Sequence, residues 1–172
     1  MRVIIATWRM ALDGAYKGRE ILLNKGLALD AVEEVIKDVE NNELFLSVGY
    51  GGLPNNEGEV ELDAGIMDGT TFQFGAVAGM KNFPNPISVA RSLMSKPYNN
   101  FLVGEGAELY AETKGFKKKD LLTITAKEKY LEKKPALLKE PGHDTIGVVA
   151  LDVFGNIVAG TSTSGLFMKN PG

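Results

Sequence analysis

Cysteine is absent from the sequence, and histidine occurs once, at His143. Without cysteine the chain can form no disulfide bond, thiol nucleophile, iron–sulfur cluster or cysteine-ligated zinc site. With a single imidazole, metal sites that need two or three histidines are excluded within the chain. A nucleophile must therefore be a serine, threonine, lysine, tyrosine or carboxylate side chain, and we expect neither a metal nor an organic cofactor.

The charge balance and the hydropathy pattern argue against two classes of partner. The 172 residues include 19 Lys and Arg against 22 Asp and Glu, which gives a formal net charge of −3. Nucleic-acid-binding domains usually carry a basic face, so no nucleic-acid partner is expected. No run of 18 apolar residues and no signal-peptide pattern are found, so we expect no membrane span. The expected location is cytoplasmic, or periplasmic or lysosomal if a leader has been removed.

Strand-like and helix-like segments alternate along the chain. The predicted elements are strand 3–7, helices 13–24 and 29–39, strands 60–68 and 71–80, helices 86–95 and 105–114, and strands 145–152 and 157–160. The acidic residues of the second helix, including Glu33 and Glu40, are expected to form a solvated face. The apolar run 145–152 is typical of a strand covered on both faces. We therefore predict one α/β (α+β) domain over 1–172, which a four-layer αββα sandwich would accommodate.

A charged segment, 117–140, separates the two parts of this pattern and is predicted to be an irregular, solvated tether. A basic patch for an anionic partner is the alternative. The tether leads to Thr145, which begins the apolar strand. If the chain is cut just before Thr145, the new α-amine can activate the hydroxyl of the same residue. The reference pKa of an α-amine is about 7.7–8.0, which suits a general base. From these residues alone an ordinary turn ahead of a strand, the commoner arrangement for such residues, remains the alternative.

Several segments, in order and over nearly the whole chain, resemble the glycosylasparaginase (aspartylglucosaminidase) branch of the asparaginase family of N-terminal-nucleophile hydrolases. The matching segments are Thr7-Trp8, 28–33, 47–52, 62–64, 66–69, 85–91, 102–105, 142–147 and 160–165. The resemblance implies an αββα sandwich made as an inactive precursor. It also implies self-cleavage between Asp144 and Thr145, with His143 beside the cleaved bond. The products would be an α segment, 1–144, and a β segment from residue 145.

The resemblance also implies roles for single residues. Thr145 would be the nucleophile, and Thr163 would stabilise the oxyanion. Ser47 would contact the amine of the nucleophile, and Trp8 would bind substrate. Each has a structural alternative: a strand-starting residue for Thr145, a cross-strand hydroxyl for Thr163, a turn hydroxyl for Ser47 and core packing for Trp8. The implied reaction is hydrolysis of the side-chain amide of asparagine or glycoasparagine to aspartate.

Two features depart from the family pattern. Arg9 and Met10 follow Trp8 where relatives carry other residues, so the rim of the substrate pocket is expected to differ. The sequence stops at Gly172, before the segment that would supply an arginine and an aspartate for the substrate. We therefore expect a sandwich that is incomplete at the C-terminus and needs a C-terminal half, with a homodimer of αβ units as one assembly. The alternative is a catalytically inactive fragment or an interaction module.

Overall fold

The structure, a computed structural model, describes residues 1–133 and 145–172. In chain order its elements are β1 Val3–Ala6, a 3-10 turn Arg9–Ala11, α1 Leu12–Leu23, α2 Ala28–Glu40, β2 Leu62–Asp68, β3 Phe74–Met80, α3 Pro86–Leu93, β4 Phe101–Val103, α4 Gly104–Thr113, α5 Ile124–Lys133, β5 Ile146–Leu151 and β6 Ile157–Thr163. The predicted α/β class is confirmed, and each predicted strand and helix is found within a few residues of its predicted bounds.

The strands form one six-stranded sheet with the order β1-β5-β6-β2-β3-β4. All neighbours are antiparallel except β3 and β4, which are parallel. The turn between β2 and β3 is held by Asp68, whose carboxylate accepts hydrogen bonds from the Thr70 backbone N–H (2.8 Å) and the Thr71 hydroxyl (3.0 Å). The hairpin of β5 and β6 lies between β1 and β2, so the two last strands are inserted into a sheet built by the first part of the chain.

Helices α1 to α4 cover one face of this sheet. The fully buried side chains of Val35 and Ile36 in α2 belong to the same core as Val148 and Val158 in β5 and β6. Alternation along the strands turns every second side chain the other way. On that second face Val149 is 40% exposed, so the prediction that β5 is covered on both faces does not hold among the described residues. Residues 1–133 and 145–172 thus form one sheet and one helical layer of the expected sandwich.

The second face of the sheet is apolar. Its exposed side chains come from all six strands; they are Ile5, Met67, Phe74, Phe101, Val103, Val149 and Ile157. Isolated exposed apolar residues are normal, whereas a contiguous apolar face marks a surface that another layer can cover. The second face is therefore a surface that a further layer of the whole protein can cover.

Two elements were not predicted. Helix α5 lies inside the segment 117–140 that we expected to be irregular, because its apolar side consists of only Ala126 and Tyr130, both buried. Its N-terminus is capped by Thr123, whose hydroxyl accepts a hydrogen bond from the Ala126 N–H at 3.3 Å. Strand β4 has three residues, too few for a period-2 pattern to be recognised.

Within the described ranges, no helix is long and apolar enough to cross a membrane. In the same ranges, no three His, Cys, Asp or Glu side chains lie close enough together to bind a metal ion.

Candidate active site

Thr145 directly precedes β5, the strand that pairs with β1 on one side and β6 on the other. The register pairs Ile146 with Ser162, so the position next to Thr145 across the hairpin is Thr163, the last residue of β6. Thr145 is half-buried at this end of the sheet. The structure therefore brings two of the predicted site residues together. His143 and Asp144 lie outside the described residues.

Thr163 contacts the loop that carries Ser47. The Thr163 hydroxyl donates to the backbone carbonyl of Ser47 at 3.4 Å and accepts a hydrogen bond from the Gly165 N–H at 3.0 Å. The same Ser47 carbonyl also accepts from the backbone N–H of Ser164 at 2.8 Å. An O···O distance of 3.4 Å is longer than the usual range of about 2.5–3.0 Å, so the hydrogen bond from the Thr163 hydroxyl to the Ser47 carbonyl is weak. Thr163 is thus a hydroxyl that can turn towards a better acceptor.

Trp8 and Ser47 line a common cleft of about 450 Å³. The Trp8 side chain is 60% exposed, which argues against a role in core packing. Arg9 and Met10, the residues that depart from the family pattern, also line this cleft, as does Gly165. Neither Thr145 nor Thr163 is among the described residues that line it. The cleft is connected to Thr163 through Ser47 and Gly165, which both form hydrogen bonds with the Thr163 hydroxyl.

The backbone of Trp8 is strained. Its dihedral angles, φ 64° and ψ 152°, lie in a region that is essentially restricted to glycine. Such strain persists only where the surrounding structure over-determines the conformation, and it is concentrated at functional sites. No sequence pattern predicts it, because tryptophan has no preference for positive φ.

The loop that follows α2 is anchored at Glu40, a residue whose side chain is buried. The Glu40 backbone carbonyl accepts from the Tyr50 N–H at 2.8 Å, and its side chain accepts from the Asn85 amide and the Ile87 N–H, both at 3.2 Å. Gly49, with φ 66°, packs against the Glu40 backbone where a Cβ atom would be 2.3 Å from the carbonyl oxygen. The expectation that Glu40 belongs to a solvated face is wrong: its side chain is fully buried.

Burial raises the pKa of the Glu40 carboxyl to about 8, because the charged form loses its hydration. Hydrogen bonds from the Asn85 amide and the Ile87 N–H act in the opposite direction, as does the neighbouring Ser162 hydroxyl, and nearby Glu33 adds to the rise. Ser162 lies in β6 directly before Thr163. Glu40 therefore holds the loop that carries Ser47 through its backbone carbonyl and the N-terminus of α3 through its side chain, and it lies beside the end of β6.

Comparison with known proteins places this arrangement in a family. Residues 6–172 match the family described as Asparaginase. The chain is 42% identical to the N(4)-(beta-N-acetylglucosaminyl)-L-asparaginase of Elizabethkingia miricola, over 99% of this chain and 51% of that protein. This chain belongs to the asparaginase family.

Other members of the asparaginase family show similar identities. The plant-type L-asparaginase of Pyrococcus abyssi is 43% identical over 86% of this chain and 53% of its own length. The isoaspartyl peptidase/L-asparaginase of Xenopus laevis is 36% identical over 97% of this chain and 56% of its own length. The chain therefore spans about half the length of these asparaginase relatives.

Two residues of this asparaginase-family site were not assigned a role from the sequence. The sequence gives Thr7 no role beyond its place in the Thr7-Trp8 segment, yet the Thr7 hydroxyl forms hydrogen bonds with the backbone of Thr145 and Gly147. Glu40 was placed on the solvated face of its helix. A signal for Glu40 was present, since it falls one residue after Val39 at the end of the apolar helix stripe, but spacing alone does not separate a buried acid from an exposed one.

Proposed function

We propose that the whole protein hydrolyses the side-chain amide of asparagine or glycoasparagine and releases aspartate. In this proposal Thr145 is the nucleophile, and it becomes active when the bond between Asp144 and Thr145 is cleaved. Thr163 and Ser47 support the nucleophile, and Trp8 contributes to the substrate pocket. The chain is then the precursor form of the N-terminal half of the enzyme.

The proposed cleavage is an N-to-O acyl shift. The Thr145 hydroxyl oxygen attacks the carbonyl carbon of Asp144, the C–N bond breaks, and the proton of the hydroxyl passes to the leaving nitrogen. The result is an ester and a free α-amine at Thr145. Water then hydrolyses the ester, which gives a carboxyl group on Asp144 and regenerates the hydroxyl. The products together contain the atoms of the precursor and one water molecule.

The proposed catalytic cycle uses the same oxygen. The neutral α-amine of Thr145 takes the hydroxyl proton while the oxygen attacks the side-chain amide carbon of the substrate. The proton then passes to the leaving nitrogen, which departs as ammonia or as a glycosylamine. Water hydrolyses the acyl-enzyme ester and releases aspartate. The Thr163 hydroxyl can donate to the oxyanion, and loss of one such donor typically lowers kcat by about 10²–10³-fold.

One observation carries this proposal: in a chain of the asparaginase family, Thr145 stands at the start of β5 directly beside Thr163. The long bond from the Thr163 hydroxyl to the Ser47 carbonyl is consistent with a donor that can turn to an oxyanion. The exposed indole of Trp8 and the cleft that it lines with Ser47 and Gly165, two residues bonded to Thr163, support a substrate pocket at this end of the sheet.

The proposal also concerns the exposed face of the sheet. The relatives are about twice as long as this chain, and the resemblance implies a second sheet in the sandwich. We propose that the second sheet covers the apolar face formed by residues such as Met67 and Phe101.

The test uses the protein expressed from its full coding sequence. Wild type, Thr145→Ala, Thr145→Ser and the control Thr125→Ala, which alters an exposed position of α5, are followed by intact mass and by aspartate release from asparagine and glycoasparagine. We expect wild type and Thr125→Ala to split into two polypeptides and release aspartate. Thr145→Ala should stay intact and inactive, and Thr145→Ser should split more slowly.

Full activity of Thr145→Ala would contradict the proposal, and so would an active wild type that stays in one piece. Wild-type protein that neither splits nor releases aspartate would favour the alternative of an inactive interaction module.

A further inference from the structure

A single hydroxyl group, that of Thr7, holds the backbone on both sides of Ile146. Thr7 Oγ1 donates a hydrogen bond to the Thr145 carbonyl at 3.1 Å and accepts one from the Gly147 N–H at 2.8 Å. The Thr7 backbone N–H also donates to the Gly147 carbonyl at 2.9 Å. The ordinary ladder between β1 and β5 ends at the pair Ala6 and Val148. At the next position one backbone bond remains, from the Thr7 N–H to the Gly147 carbonyl, and the Thr7 hydroxyl takes the place of the Thr7 carbonyl as acceptor for the Gly147 N–H.

We propose that Thr7 is a positioning residue that fixes the orientation of the nucleophile, an inference that rests on the proposed function of Thr145. The hydroxyl of threonine has one proton, which is donated to the Thr145 carbonyl, and its oxygen already accepts from Gly147. The Thr7 hydroxyl therefore uses both its proton and its oxygen in bonds within the protein, and it has no proton to donate to the substrate. Its effect passes through the backbone of residue 145.

The position of Thr145 at the proposed cleavage site explains why the hydrogen bond from Thr7 to its carbonyl is needed. After cleavage, residue 145 becomes a chain terminus, and termini are mobile unless hydrogen bonds hold them. The bond to the preceding residue then no longer holds residue 145, so the contacts of its carbonyl group gain importance. Thr7 supplies the donor to that carbonyl, and the Thr161 hydroxyl holds the next one, donating to Ile146 O at 2.9 Å. The Thr7 contact is the nearer of the two to the reacting oxygen.

Displacement of a reacting group by about 1 Å can lower the rate by about 10²-fold. Removal of the Thr7 hydroxyl should therefore act on the chemical step. Substrate binding should change little, because Thr7 contacts the protein backbone and Trp8 lines the cleft. This difference separates a positioning role of Thr7 from an indirect effect through its neighbour Trp8, which would raise KM.

The experiment compares Thr7→Val, which keeps the branched shape, with Thr7→Ser, which keeps the hydroxyl, in the protein expressed from its full coding sequence. The matched control is Thr113→Val, which removes a hydroxyl bond of 2.8 Å to the Tyr110 carbonyl in α4. The measurements are the half-time of cleavage by intact mass, and kcat and KM for asparagine. We expect Thr7→Val to lower kcat by about tenfold or more, with KM within about twofold.

Thr7→Ser should recover kcat to within about threefold of wild type, and Thr113→Val should leave kcat unchanged. If Thr7→Val does not fold by circular dichroism, Thr7→Ala replaces it with the same expectations. The inference is overturned if kcat of the hydroxyl-free variant matches that of wild type, falls equally in Thr113→Val, or stays constant while KM rises.

Failure of this inference differs from failure of the proposed function. If Thr145→Ala is inactive while Thr7→Val behaves as wild type, only the role of Thr7 is wrong. If Thr145→Ala is cleaved or fully active, the proposed function itself is wrong.

Discussion

The backbone of Gly75 in β3 lies directly against the carbonyl oxygen of Ala90 in α3. A Cβ atom at position 75 would lie 1.9 Å from that oxygen, far inside the 3.0 Å that Cβ atoms essentially never cross. Both partners are parts of regular elements, so neither can move without displacing a helix or a strand. Helix α3 packs closely on the sheet because residue 75 has no side chain.

Gly75→Ala should therefore lower the free energy of unfolding by about 3 kcal/mol, because the new methyl group forces α3 away from β3. The matched control is Gly106→Ala in α4, where an added Cβ meets no atom within 4 Å. That change should raise the free energy of unfolding by about 0.5 kcal/mol through helix propensity. Urea unfolding measures both, and equal stabilities of the two variants would contradict the close contact.

The buried carboxyl of Glu40 should make stability depend on pH. Its pKa is about 8 in the folded protein and has an ordinary value of 4.5, so the folded state holds more protons than the unfolded state between these values. The free energy of unfolding should therefore fall as pH rises from about 4.5 to about 8, by at most about 1.4 kcal/mol per pH unit. Below this window the contribution is fully present.

Glu40→Gln should remove this part of the pH dependence, since glutamine has no proton to lose. Urea unfolding at roughly pH 5, 7 and 9 would compare this variant with wild type and with Glu128→Gln, an exposed acid of α5. Glu128→Gln should follow wild type. The same pH dependence in Glu40→Gln as in wild type would show that other groups cause it.

The fold was largely predictable from the sequence, because most elements carry a clear periodicity. The β2–β3 hairpin has its turn signal at Asp68-Gly69, and α2 has its apolar stripe. Helix α5 was missed because two buried side chains among charged ones do not make a visible stripe.

The candidate site was predictable only in part. Thr145, Thr163, Ser47 and Trp8 came from the resemblance, while the register of β5 and β6 supplied the spatial relationship between the two threonines. The bonds of the Thr7 hydroxyl depend on the pairing of residues that are about 140 positions apart in sequence, which a local pattern does not contain.

The strained backbone of Trp8 predicts an unusual order of stability. Trp8→Gly relieves the strain and Trp8→Ala retains it, so the glycine variant should be the more stable of the two by about 1 kcal/mol. This is opposite to the usual preference for alanine over glycine. Urea unfolding of both variants is the measurement, with Gly106→Ala as the reference for the normal order. A more stable Trp8→Ala would show that the strain is absent in solution.

Asp152 should stabilise the β5–β6 turn by three hydrogen bonds and the contact of this turn with the N-terminus of α2 by a fourth. Its buried carboxylate accepts from the N–H groups of Ala28 (3.0 Å), Phe154 (2.9 Å) and Asn156 (3.0 Å), and from the Asn156 side-chain amide (2.9 Å). Burial alone would raise the pKa of Asp152, but these hydrogen bonds outweigh burial and lower it below 3.8. The stabilisation is present above pH about 3.8 and is lost as pH falls through the lower folded value.

Asp152→Ala should lower the free energy of unfolding by about 2–4 kcal/mol at neutral pH, because several donors lose their acceptor. Asp120→Ala is the control, since that exposed carboxylate accepts one hydrogen bond, from the Leu122 N–H, and should change stability by less than about 1 kcal/mol.

Acid unfolding followed by circular dichroism would also begin at a higher pH in Asp152→Asn than in wild type. Identical acid transitions would rule out this role.

The strand order determines what would happen to the two polypeptides after a cut before Thr145. Strands β5 and β6 would belong to the polypeptide that begins at Thr145. They lie between β1 and β2, which belong to the other polypeptide. The two products would stay associated, because backbone hydrogen bonds join β5 to β1 and β6 to β2. A denaturing gel would separate them, whereas native gel filtration would show a single particle.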